Sequence, residues 1–170
     1  PDAQEGTFEE ISISIYDNNN MISTATLSII VGQQEVIVND ELESDTNWFI
    51  GASDDDATNG IWERAEPNPT YDDNGQIIQP DEDHTVLGQY CFVTNNAVSN
   101  DDSEFGYGDV DGGKTTLLSQ VFDLSEYEIS TVSYWRWYVN AAAGGANPGN
   151  DWWQVQVSDD GGQTWVYVEN

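Results

Sequence analysis

Between Asp109 and Asn170, apolar and polar residues alternate with a period of two, and clusters of glycine, asparagine and aspartate break the alternation at short intervals. A strand sends successive side chains to opposite faces, so this pattern predicts antiparallel strands with one buried and one wet face. In the run Thr131–Val139, Val132, Tyr134, Arg136 and Tyr138 share one face and Ser133, Trp135, Trp137 and Val139 the other. In the run Asp151–Ser158, Trp153, Val155 and Val157 oppose Trp152, Gln154, Gln156 and Ser158. Asp159-Asp-Gly-Gly-Gln-Thr-Trp165 reads as a hairpin turn, because glycine reaches positive φ at no steric cost. Five of the seven tryptophans lie in this stretch, so its physical task is to supply a core.

The preceding residues carry the same grammar. Asn39 to Ile50 brings acidic residues into an aromatic strand, and Asp54-Asp-Asp-Ala-Thr-Asn-Gly60 follows as a loop with a solvated acidic run. Ile61-Trp-Glu-Arg-Ala-Glu-Pro67 is the next strand, ended by Pro67 and Pro69, which cannot serve a central ladder. Asn68 to Glu82 is expected to be a polar surface excursion with two turns. The chain returns to a strand through Asp83-His-Thr-Val-Leu-Gly-Gln-Tyr-Cys-Phe-Val-Thr94, and Asn95 to Gly108 forms a second polar loop. No stretch sustains a 3.6-residue periodicity, so the expected class is all-β.

Residues 1–38 hold further strands, one through Phe8, Ile11, Ile13 and Ile15, a turn at Asp17-Asn-Asn-Asn, and one through Ala25–Val31. A short apolar run, Glu35-Val-Ile-Val, leads onward. Two or three strands make a poor independent unit. They are read as the terminal strands of an immunoglobulin-like β domain, or as strands donated to a neighbouring subunit. Residues 39–170 form the main domain.

The formal charge is −29, from 32 acids against Arg64, Lys114 and Arg136. Such a field repels nucleic acid and anionic lipid and makes both poor partners, so no nucleic acid and no membrane insertion are expected. It favours divalent cations and suits saline surroundings, where screening over about 8 Å relieves self-repulsion. Cys91, the one cysteine, sits in an apolar run and is expected to be buried and inert, with no disulfide inside the chain. No apolar run approaches the roughly 20 residues of a membrane-spanning helix. The opening Pro1-Asp-Ala-Gln carries no leader, and is read as the start of a mature or excised piece of a longer secreted protein.

Catalytic chemistry is not indicated. His84 is the one histidine, which excludes a histidine-rich zinc site, and Asp-His-Thr at a strand start is more simply structural. Gly112-Gly-Lys-Thr-Thr lacks the earlier glycine of a phosphate loop and leads into a strand. Calcium is the favoured ligand, because it takes six to eight oxygens from carboxylates, carbonyls and water. Asp109 and Asp111 stand at spacing two before paired glycines, Asp81 and Asp83 flank Glu82, and Asp151 opens a strand. Trp135, Trp137 and Trp152 are candidate ring faces for a glycan, since tryptophan stacks on apolar sugar faces. The plainer alternative is that these rings are covered by another face of the fold.

Trp48, Gly60-Ile-Trp-Glu-Arg-Ala-Glu-Pro, Gln79-Pro-Asp-Glu-Asp-His-Thr, Gly88-Gln-Tyr-Cys-Phe-Val-Thr, Asp109-Val-Asp-Gly-Gly-Lys-Thr-Thr-Leu-Leu-Ser and Ser133-Tyr-Trp-Arg-Trp-Tyr together resemble a jelly-roll module. Such modules stand beside the catalytic domain in large secreted bacterial proteins, zinc carboxypeptidases and other peptidases among them. The order of motifs is also similar to the MAM domain of animal cell-surface proteins, although the MAM disulfide cysteines are missing. The resemblance covers about residues 40–170. It implies a jelly-roll β-sandwich with one structural cation, and further strands beyond the Thr164-Trp-Val-Tyr-Val run. The expected function is therefore a non-catalytic accessory or adhesion module of a secreted or cell-surface bacterial protein. Its partners would be other domains of that protein or neighbouring subunits. The alternatives are a subunit of an extracellular filament or surface layer built by strand exchange, and a carbohydrate-binding module.

Overall fold

A computed structural model describes residues 8–16, 22–30, 35–45, 47–72, 74–98, 108–140 and 149–169. The chain divides into two compact units, one of residues 1–39 with 125–131 and one of residues 40–124 with 132–170. No described residue is helical, and every ladder is antiparallel. The described protein is all-β.

The first unit contains two long strands, β1 (Phe8–Tyr16) and β2 (Ile22–Ile30). They pair without a break from Phe8 opposite Ile30 to Tyr16 opposite Ile22. Isoleucine, serine and threonine dominate both strands, and β-branched residues suit a pleated ladder. The turn expected at Asp17-Asn-Asn-Asn lies outside the described residues. Glu35-Val-Ile-Val is described, belongs to no ladder among the described residues, and leaves Val36 and Val38 exposed.

The second unit holds short strands: β3 (Phe49–Ile50), β4 (Trp62–Ala65), β5 (Thr70–Tyr71), β6 (Ile77–Gln79), β7 (Cys91–Thr94), β8 (Leu117–Leu118), β9 (Val155–Val157) and β10 (Val166–Glu169). They pair two by two, β3 with β8, β4 with β7, β5 with β6 and β9 with β10. Among the described residues these pairs do not merge into larger sheets. β4 stops at Ala65, just ahead of Pro67 and Pro69, both of which are buried.

The turn between β9 and β10 is built as its residues dictate. Gly161 and Gly162 have φ of 73° and 85°. Asp160 accepts hydrogen bonds from Thr164 Oγ1 (2.6 Å), the Thr164 and Gln163 amides (both 2.9 Å) and Ser158 Oγ (2.8 Å). These donors, Thr164 foremost, bring the Asp160 carboxyl down to about 2.

Two expectations change in this unit. Residues 68–82 are more than a surface excursion, since they carry the β5–β6 hairpin and two buried polar residues, Thr70 and Gln79. Gln79 Nε2 donates to the Asn68 carbonyl (2.7 Å) and Asn96 Oδ1 (2.9 Å), and Asn68 Nδ2 donates to the Ala97 carbonyl (2.6 Å). The Asn68 amide reaches Asn96 Oδ1 at 2.8 Å, and the Gln79 amide reaches Thr70 Oγ1 at 3.2 Å. Polar groups can be buried here because each finds a partner. Val93 and Ala97, with Pro67 and Pro69, are the buried apolar residues among those described.

The run from Thr131 to Val139 is the second change. It enters no ladder among the described residues, yet its period-two alternation survives in its side-chain contacts. Tyr134 and Arg136 both reach Glu169, Arg136 lies over the Trp153 ring at 5.2 Å, and Tyr138 Oη donates to the Asp151 carbonyl at 2.5 Å. Trp135, on the opposite side of the alternation, stacks on His84. Side chains, not backbone pairing, attach this run to residues 151–169.

Candidate functional site

The loop 54–60 and the turn 109–114 are zipped together by backbone and carboxylate hydrogen bonds. Asn59 and Asp111 form an isolated bridge, the Thr58 amide donates to the Asp111 carbonyl (2.8 Å), and Asn59 Nδ2 donates to the Asp109 carbonyl (3.1 Å). Gly60 makes the approach possible. Its φ is 70°, and a Cβ there would stand 2.4 Å from the Asp109 carbonyl oxygen.

The acidic run 54–56 is solvated at Asp54 and Asp56, as expected, and its carboxylates also accept hydrogen bonds from the chain. Asp54 pairs with Lys114 Nζ at 2.7 Å, which draws its carboxyl below the ordinary range. Asp55 accepts from Thr116 Oγ1 (2.6 Å), the Thr116 amide (2.7 Å) and the Ala52 amide (3.0 Å). Asp56 accepts from the Lys114 amide at 3.0 Å. A short side chain that caps neighbouring backbone donors is a common use of aspartate in loops.

The same turn presents Asp109 to Asp151. Desolvation, the charges of Asp151 and Asp111 and a side-chain hydrogen bond that protonated Asp109 donates to Asp151 all push the Asp109 carboxyl up. Asp151 is held from behind, with its carbonyl accepting from Tyr138 Oη and Asn140 Nδ2 and its amide donating to Asn140 Oδ1 (3.3 Å). No basic side chain relieves this pair. Lys114 is engaged with Asp54, Arg136 with Glu169 and Trp153, and Arg64 donates to the Leu42 carbonyl (2.6 Å) and lies over the Tyr90 ring at 4.2 Å. Asp109, Asp111 and Asp151 are exposed, and crowding without a counter-charge favours uptake of a proton or a cation there.

Of the five acids singled out in the sequence, Asp111 and Asp151 thus both act on Asp109. Asp81 and Asp83 are not among the groups that act on Asp109. Asp83 is placed by Gly88 and Cys91 instead. Among the described residues no group of three or more histidine, cysteine or acidic side chains is placed to hold a metal ion. The donor set at Asp109 and Asp151 still fits a hard cation, since it offers oxygen alone, crowded and without positive partners.

The remaining candidates separate cleanly. The half-buried Cys91 thiol is pushed up to about 12 by burial, with the charges of Asp83 and Glu43 adding to it, so it stays protonated. Trp135 and Trp152 are exposed, at 77% and 76%, whereas Trp137 is half-buried. Trp153 is the aromatic hub that the sequence did not single out as such. It meets Trp62 edge-on at 6.0 Å and Tyr138 at 6.2 Å, beneath Arg136. A cleft of about 310 Å³ lined by Thr58, Asn59, Trp62, Glu63 and Asn95 opens beside the bridge to Asp111. No described helix is long and apolar enough to cross a membrane.

Comparison with known protein families, curated proteins and solved structures finds no match for this chain.

Proposed function

We propose that this chain is a non-catalytic accessory or adhesion module of a secreted or cell-surface protein, a jelly-roll sandwich whose loops are pinned by calcium. The carrying observation is the contact between Asp109 and Asp151, with Asp111 adding its charge and no basic side chain in attendance. A calcium ion there would tie the 109–114 turn, itself bonded to the 54–60 loop, to the start of the segment leading into β9. Asp109, Asp111 and Asp151 would supply carboxylate oxygens, with water completing the shell. The role is structural, joining loops that are distant in sequence. The motif order of residues 40–170 supports the sandwich and the extracellular setting by resemblance.

The test is thermal unfolding with calcium and with a chelator, read beside light scattering. A monomer that melts lower on chelation supports the reading. A monomer indifferent to chelator removes the metal from it.

A second reading draws on the β1–β2 pair. A two-stranded hairpin is marginal in water unless something covers or extends it. A neighbouring copy could do so by strand addition, which would make the chain a filament or surface-layer subunit. Long polymers in the same light-scattering experiment would favour that assembly.

A further inference from the structure

Trp135 is held flat against His84, with ring centroids 3.7 Å apart and planes 11° from parallel. The indole is nevertheless 77% exposed, so one face is braced by the imidazole while the rest stays open to solvent. A braced ring loses little side-chain entropy when a partner lands on it, which is the advantage of a preorganised surface. His84 follows directly on Asp81-Glu82-Asp83, and Asp81 and Glu82 are exposed. The wider field has the same sign, at −29 for the chain, and each of the three basic side chains is already engaged with groups of its own unit.

We propose that the open face of Trp135 is a docking surface for a cationic protein segment, one that presents a lysine or arginine over the indole with neighbouring positive charge toward Asp81 and Glu82. The indole face attracts a cation through its quadrupole, and the acidic surroundings steer and retain it. Charge complementarity decides against a glycan. A sugar gains nothing from a −29 field, and the ring contact of Trp135 among the described residues is with a histidine, not with a second platform tryptophan. This inference is independent of the calcium site.

The test is isothermal titration calorimetry of the full chain with a glycine-spaced lysine peptide and its arginine counterpart, at low and high salt. A neutral β-linked oligosaccharide is titrated in parallel. Trp135→Ala removes the ring without altering net charge, so it separates the platform from general attraction between a polyanion and a polycation. The expected result is peptide binding that weakens with salt, weakens about two- to five-fold in Trp135→Ala, and is largely kept in Trp135→Phe. His84→Ala should also weaken it, by freeing the indole. Peptide binding unchanged in Trp135→Ala would overturn the proposal in favour of bulk electrostatics. An absence of peptide binding, or oligosaccharide binding that depends on Trp135 in its place, would also overturn it.

Discussion

The Asp109 carboxyl, raised by desolvation and by the charges of Asp151 and Asp111, donates a hydrogen bond in its protonated form to the Asp151 side chain. The contact joins the 109–114 turn to residues just ahead of β9. Two acids share it because Tyr138 and Asn140 hold the Asp151 backbone in place from the other side. The repulsion is local, and so are its consequences.

The raised Asp109 carboxyl makes the folded chain a better proton acceptor than the unfolded one. From the ordinary value of 3.8 up to the higher folded value, the folded state binds more protons and stability falls as pH rises. Without calcium, Asp109→Asn should therefore melt about 1–3 °C higher than the parent at neutral pH, and the gain should vanish in acid. With calcium the order should reverse, because the variant loses a ligand. Thermal melts at two pH values, each with calcium and with chelator, check both signs.

Asp160 behaves in the opposite sense. Its folded carboxyl stands at about 2 against an ordinary 3.8, so its contribution is present above 3.8 and is lost as pH falls toward 2. Acidification should release the Gln163 and Thr164 amides, and Asp160→Ala should release them at neutral pH. Amide exchange measured by NMR reads both. Persistent protection of these amides in the variant would show that the glycines alone define the turn.

Gln79 is buried and donates from one amide nitrogen to Asn68 and Asn96. Gln79→Leu keeps much of the volume but leaves the Asn68 carbonyl without that donor. The expected cost is about 1–3 kcal/mol, measured by urea unfolding. Val93→Ala, which empties part of the small apolar core, should cost about 1.5–2 kcal/mol by loss of two carbon groups.

Arg136 serves Glu169 and Trp153 together. Arg136→Gln should destabilise by about 1 kcal/mol, since a partly exposed ion pair and a cation–π contact each contribute modestly. Arg136→Lys should recover less than half of this, because a compact ammonium cannot bridge carboxylate and indole as a flat guanidinium does. Urea unfolding of the three proteins at equal salt measures the difference.

The sequence by itself determined the all-β class, the hairpin at Asp159–Trp165, the end of β4 before Pro67 and the sidedness of Tyr134, Arg136 and Tyr138 against Trp135. Each follows from a local rule, namely period-two alternation, glycine at positive φ or the missing amide of proline, and local rules are written in neighbouring residues. The grouping of Asp109 with Asp151 needed the tertiary structure, because in a chain of 32 acids no spacing marks which carboxylates will meet. The same holds for Asp54, Asp55 and Asp56, whose donors Lys114, Thr116 and Ala52 come mostly from a distant turn. Gln79 and Asn68 read as surface residues in the sequence, since polarity predicts exposure until a fold brings matching donors and acceptors around it. The run 131–139 shows the same division. Alternation set which side chains share a face, while backbone pairing depends on a neighbour that only the folded chain can bring alongside.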